Sequence, residues 1–123
     1  MFRSIYFLSI LIGCSSAQQK AVESISAKRL VELQNDGVTV IDIRTKKEYD
    51  QGHIPGVVLV DFFSSDFLDQ MKKFDRDKPI VIHCASGGRS GKASKMLQEE
   101  GFTTIYDYAG GFSDWSSKGM KIE

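Results

Sequence analysis

The chemistry in this chain collects around one cysteine. Cys84 closes the run Pro79-Ile80-Val81-Ile82-His83-Cys84, and the chain continues Ala85-Ser86-Gly87-Gly88-Arg89 before Ser90 opens a stretch with helical spacing. A continuous rather than alternating apolar run suits a strand buried on both faces of a parallel sheet. Its last residue then stands at the carboxyl end of that strand, where open α/β sheets present their ligand sites. A thiol placed there faces free backbone N–H groups, the positive end of a helix and a nearby guanidinium. Each of these lowers its ionisation point from the free value of about 8.5. The expectation is a thiolate nucleophile.

What that nucleophile can attack depends on the size of the loop. Cys84 to Arg89 is C-x4-R, six residues long, and Gly87 and Gly88 are free to turn backbone amides inward. In its length, and in the Arg89-Ser90 pair that ends it, this loop resembles the active loop of the rhodanese-like sulfurtransferases. The resemblance implies that Cys84 takes up a sulfane sulfur, holds it as a persulfide and passes it on. The donor would be a small molecule such as thiosulfate, the acceptor a thiol or cyanide, and no cofactor is implied. Ala85, Ser86, Gly87, Gly88 and Ser90 would surround the bound sulfur with main-chain donors. Arg89 has two readings, one in which it orients an anionic donor and one in which it ties down the loop. Cysteine-dependent phosphatases carry H-C-x5-R, one residue longer, and a smaller cradle suits a single sulfur better than a phosphoryl group. A reading of another class remains beside these: a non-catalytic persulfide carrier or thiol-redox partner module.

Other segments resemble the same family in the same order. Asp42-Ile43-Arg44 ends a β-branched strand, and Gln51-Gly52-His53-Ile54-Pro55-Gly56 forms a turn into the next. Near the end stands Gly110-Gly111, with Trp115 four residues on. Arg44 either contacts substrate or forms a structural ion pair with Asp42. His53 and His83 read as structural residues, because attack by an already ionised thiolate requires no proton abstraction. Trp115 reads as a buried anchor.

The elements that must position these residues alternate. Ser26 caps a helix running to Asn35, and Val38–Ile43 follows as a strand. Thr45-Lys46-Lys47-Glu48 is a capping box for a short helix. Val57–Asp61 reads as a strand, and Ser64-Ser65 as the cap of a helix through Phe74. The central strand leads through the cysteine loop to a helix starting at Ser90 and stopping at Gly101. Phe102–Tyr108 is a last strand. This alternation with right-handed crossovers predicts an α/β fold, a rhodanese-like doubly wound parallel sheet with helices on both faces.

At 123 residues the chain has room for a single core. Sixteen basic residues balance sixteen acidic ones, with no basic block, which argues against nucleic acid as a partner. Two cysteines and two histidines show no metal-ligand spacing. Met1-Phe2-Arg3 followed by the apolar run Ile5–Ile12 and small residues describes a secretory leader over residues 1–17. Leu11-Ile12-Gly13-Cys14 resembles a bacterial lipobox, which implies cleavage before Cys14 and lipidation of its thiol. Ser15-Ser16-Ala17 also fits ordinary leader cleavage, releasing a soluble chain from Gln18. The expectation is an exported, periplasmic monomer touching a membrane only through its lipid anchor, with residues 18–24 as tether and 25–123 as the domain.

Overall fold

The computed structural model describes residues 21–123. The leader, the lipidation residue Cys14 and the first part of the expected tether therefore lie outside the described residues. Five strands form one sheet: β1 Val22–Ser24, β2 Thr39–Asp42, β3 Val58–Leu59, β4 Ile80–His83 and β5 Ile105–Asp107. Their order is β1-β5-β4-β2-β3, and every pairing is parallel. The strand that ends beside Cys84 is thus the central one. Its four residues are all buried, which accounts for its unbroken apolar run.

Five helices cover the sheet: α1 Ala27–Asn35, α2 Lys46–Asp50, α3 Phe67–Met71, α4 Gly88–Glu99 and α5 Gly111–Ser117. Alternate strand residues feed two cores. Ile41, Ile80, Ile82 and Cys84 pack with Phe67 and Met71 of α3 and with Ala93 and Leu97 of α4. Val40, Val81 and Tyr108 pack on the other face with Leu30 and Leu33 of α1 and Trp115 of α5. Each large aliphatic side chain so buried contributes roughly 1.5–3 kcal/mol. Trp115 is 3% exposed, and its indole N–H donates to the Lys121 carbonyl at 2.8 Å.

The caps read from sequence form at α1 and α2. Ser26 Oγ accepts the Arg29 N–H at 3.2 Å, and the Thr45/Glu48 capping box is complete in both directions. Several segments differ from expectation: strands β3 and β5 are shorter than expected, and the chain from Gly111 to Ser117, where no element was expected, forms α5. Val22–Ser24, expected within the tether, pairs with β5 as an edge strand. The helix expected to run to Phe74 ends at Met71 and is N-capped by Asp66 without a side-chain bond, because the Ser64 hydroxyl donates to the Asp66 carboxylate instead. Helix α4 starts at Gly88, two residues before Ser90, so part of the expected loop is already helical.

Candidate active site

Cys84 directly follows β4 and is 1% exposed. Beyond it the chain doubles back through Gly87, whose φ of 100° is a left-handed conformation. A Cβ on Gly87 would sit 2.5 Å from the Ala109 carbonyl oxygen, so glycine is required there for conformation and for space alike. This turn aims main-chain donors at the sulfur. The Gly87 N–H reaches Sγ at 3.2 Å and the Ser90 N–H at 3.4 Å. The carbonyls of the same loop point the other way, into the start of α5. Phe112 N–H donates to Cys84 O and Ser113 N–H to Ala85 O, both at 2.9 Å. Loop oxygens are thereby held away from the sulfur while loop N–H groups face it.

The electrostatic result has opposing causes. Burial pushes the Cys84 thiol up; the Ser90 N–H and hydroxyl, with the N–H groups of Gly87 and Ser86, outweigh it, and the thiol falls below its ordinary value. Ala85 and Gly88 make no hydrogen bond to the sulfur; Ala85 tethers the loop to α5 and Gly88 opens α4. His83 is fully buried, and burial pushes its imidazole below the ordinary value, so the ring is neutral at neutral pH. Its Nδ1 lies 3.1 Å from Cys84 O, which can only accept, so the proton sits on Nδ1.

Arg89 forms an ion pair with a second element. Its Nη1 and Nη2 donate to Glu48 Oε1 and Oε2 at 2.7 and 2.9 Å, joining α4 to α2 across the mouth of the site. Glu48 Oε1 also accepts the N–H and hydroxyl of Thr45, at 3.2 and 3.1 Å. The Arg89 bonds, aided by those from Thr45 and opposed by burial, hold the Glu48 carboxyl down at about 2. The folded-state value is depressed, so the pair stabilises fully above the usual glutamate value of about 4.3 and is lost as pH falls towards 2. At partial exposure this amounts to on the order of 2 kcal/mol. Acid unfolding of Glu48→Gln should accordingly show a weaker loss of stability between about pH 4.5 and 2 than the parent. Identical acid profiles by circular dichroism would contradict the assignment.

Arg44 forms the ion pair of one of its two readings. It is 3% exposed, and its Nε and Nη2 bond the Asp42 carboxylate at 2.8–3.1 Å. Nη2 also donates to the Gly52 carbonyl at 2.8 Å, and the guanidinium lies 4.2 Å from the centre of the Phe112 ring. Its Nε and Nη2 are thereby engaged, and one face of the guanidinium lies against Phe112. His53 is structural: Nδ1 lies 3.0 Å from Tyr49 O, and the ring stacks on Tyr49 at 3.7 Å.

Two further residues stand near the loop without a sequence motif that marks them as belonging to it. Glu48 was legible as a helix cap but not as the partner of Arg89. Asp107, at the carboxyl end of β5, is 9% exposed, and its Oδ1 is buried without a partner. Burial pushes its carboxyl up, while the Ser90 hydroxyl pulls the other way. A carboxylate ending a strand beside the cysteine strand was the available signal.

The chain matches the Rhodanese-like domain family over residues 26–118, which include every element from α1 to α5. It belongs to that family. Thiosulfate sulfurtransferase 16, chloroplastic, of Arabidopsis thaliana is 33% identical over 113 residues, covering 84% of this chain and 94% of the relative. The thiosulfate:glutathione sulfurtransferase of Saccharomyces cerevisiae is 31% identical over 122 residues, covering 85% and 88%. Among solved structures, a rhodanese-related protein from Thermoplasma volcanium superposes with a TM-score of 0.72 at 31% identity, over 82% of this chain and 97% of the other. The five-stranded parallel sheet with helices on both faces is therefore the rhodanese fold, and relatives of this rhodanese-like protein are sulfurtransferases.

Proposed function

We propose that this rhodanese-like protein is a sulfurtransferase in which Cys84 carries the transferred sulfur as a persulfide. The observation that carries the reading is the pair of N–H groups, from Gly87 and Ser90, aimed at Sγ. The thiolate attacks the terminal sulfur of a donor such as thiosulfate; an S–S bond forms at Sγ and sulfite leaves with the electron pair of the broken bond. An acceptor thiolate or cyanide then attacks the outer sulfur, and the electron pair returns to Sγ. The inward N–H groups stabilise the anion at each stage without reorganising. Because the thiol lies below the surface, a slim terminal sulfur reaches it more readily than a branched oxyanion.

The leader supports export, and the lipobox-like Leu11–Cys14 supports anchoring through Cys14 to a bacterial membrane, leaving Cys84 as the thiol for chemistry. Intact mass of the exported protein tests both parts of the proposal. Incubation with thiosulfate should add one sulfur atom to Cys84, and a thiol acceptor should remove it. A sulfur that loads but is never passed on would make the protein a carrier; no adduct from thiosulfate or from an organic sulfane donor would overturn the reading. The same spectrum reports whether the mature chain begins at an acylated Cys14 or at Gln18.

A further inference from the structure

Both arginines that the sequence offered for holding an anion are spoken for by carboxylates. Arg44 is paired with Asp42, and Arg89 is bidentate to Glu48, which stays ionised throughout the physiological range. The guanidinium beside the loop is thus neutralised, and the Cys84 thiol and the Asp107 carboxyl are both buried. Lys92 and Lys95 of α4 are solvent-exposed, where screening over about 8 Å blunts their field. The surface beside Arg89 is aromatic. Phe63 is 67% exposed, with its ring centre 5.5 Å from the Arg89 guanidinium carbon, and it packs edge-on against Phe62.

We infer that Glu48 sets donor specificity at this site: by neutralising Arg89 it disfavours the dianion thiosulfate and favours sulfane sulfur on an organic carrier bearing at most one charge, whose apolar part lies against Phe63. This rests on the persulfide reading of Cys84. With an organic persulfide R–S–SH, the Cys84 thiolate attacks the terminal sulfur. The carrier leaves as R–S⁻ with the electron pair of the old S–S bond, and the proton travels with the transferred sulfur. A dianion gains from a net cation beside the loop, and that charge is what Glu48 removes.

The test compares thiosulfate with benzenethiosulfonate, which presents the same terminal sulfur on a monoanionic aromatic carrier. In the parent protein kcat/KM should favour benzenethiosulfonate by about ten-fold or more, and thiosulfate turnover should respond little to ionic strength. Glu48→Gln, which can still accept from Thr45, loosens the loop for both donors alike, but should raise kcat/KM for thiosulfate relative to benzenethiosulfonate roughly five-fold and make thiosulfate turnover the more salt-sensitive of the two. A parent that prefers thiosulfate, or a Glu48→Gln effect equal on both donors, would overturn the inference. The parent comparison requires no variant to fold. Mass spectrometry separates the two levels: if neither donor loads Cys84, the persulfide reading fails, and if both load it without the expected preference, only the role of Glu48 fails.

Discussion

Cys84→Ser is expected to keep the fold and lose sulfur transfer from thiosulfate to cyanide by at least about a thousand-fold. The substitution keeps the shape of the side chain, and the serine oxygen can accept from the Gly87 and Ser90 N–H groups that now face Sγ. What it lacks is a polarisable nucleophile that ionises readily, because a hydroxyl ionises far above any thiol and this thiol is held below its ordinary value. Stability should change by no more than about 1 kcal/mol, since no charge partner or large volume is removed. Thiocyanate formation measures the activity and thermal unfolding measures the fold. Retained turnover in a folded Ser variant would remove Cys84 from the mechanism.

The second large effect is expected at a residue that never touches the sulfur. Gly111 has a φ of 63°, and a Cβ built on it would lie 2.6 Å from the carbonyl oxygens of both Cys84 and Ala85. Those are the carbonyls that the next two N–H groups of α5 hold. Gly111→Ala therefore strains its own backbone and pushes the cysteine loop off its anchor, at a cost of about 3 kcal/mol or more. The loop is the part most easily displaced, so the thiol should also become less acidic. The expected signature is a lower unfolding midpoint together with an iodoacetamide alkylation profile shifted to higher pH. Gly37→Ala is the control: its φ of 88° carries similar backbone strain, but nothing lies within 4 Å of the added methyl. It should lose stability without moving the alkylation profile. If Gly111→Ala also left that profile in place, α5 would have no part in shaping the thiol's surroundings.

The features legible in the sequence are those written in local chemistry. The double-faced burial of β4 shows as an unbroken apolar run, the α1 and α2 caps as Ser26 and Thr45-x-x-Glu48, and the loop's size as a count of residues. What escaped depends on contacts across the chain. Val22–Ser24 has no alternation or β-branched run of its own and becomes a strand because β5 offers it a parallel edge. The Glu48–Arg89 pair spans 41 residues, and no spacing rule encodes it. The ion pair of Arg44 depends on orientation, which sequence does not fix: its guanidinium turns back onto the Asp42 carboxylate two residues earlier. The burial of Asp107 is likewise not written in its chain neighbours, because β5 packs against α4, which precedes it in sequence.

One consequence of an all-parallel sheet concerns which way the protein looks. The chain enters at the amino end of edge strand β1, whereas Cys84 stands past the carboxyl end of β4, so entry point and reactive mouth occupy opposite rims. The stretch from Cys14 to Val22 can extend at most about 30 Å. The segment before β1 therefore joins the rim opposite the sulfur, and the lipid anchor proposed for Cys14 would not compete with donors and acceptors for the surface around Cys84.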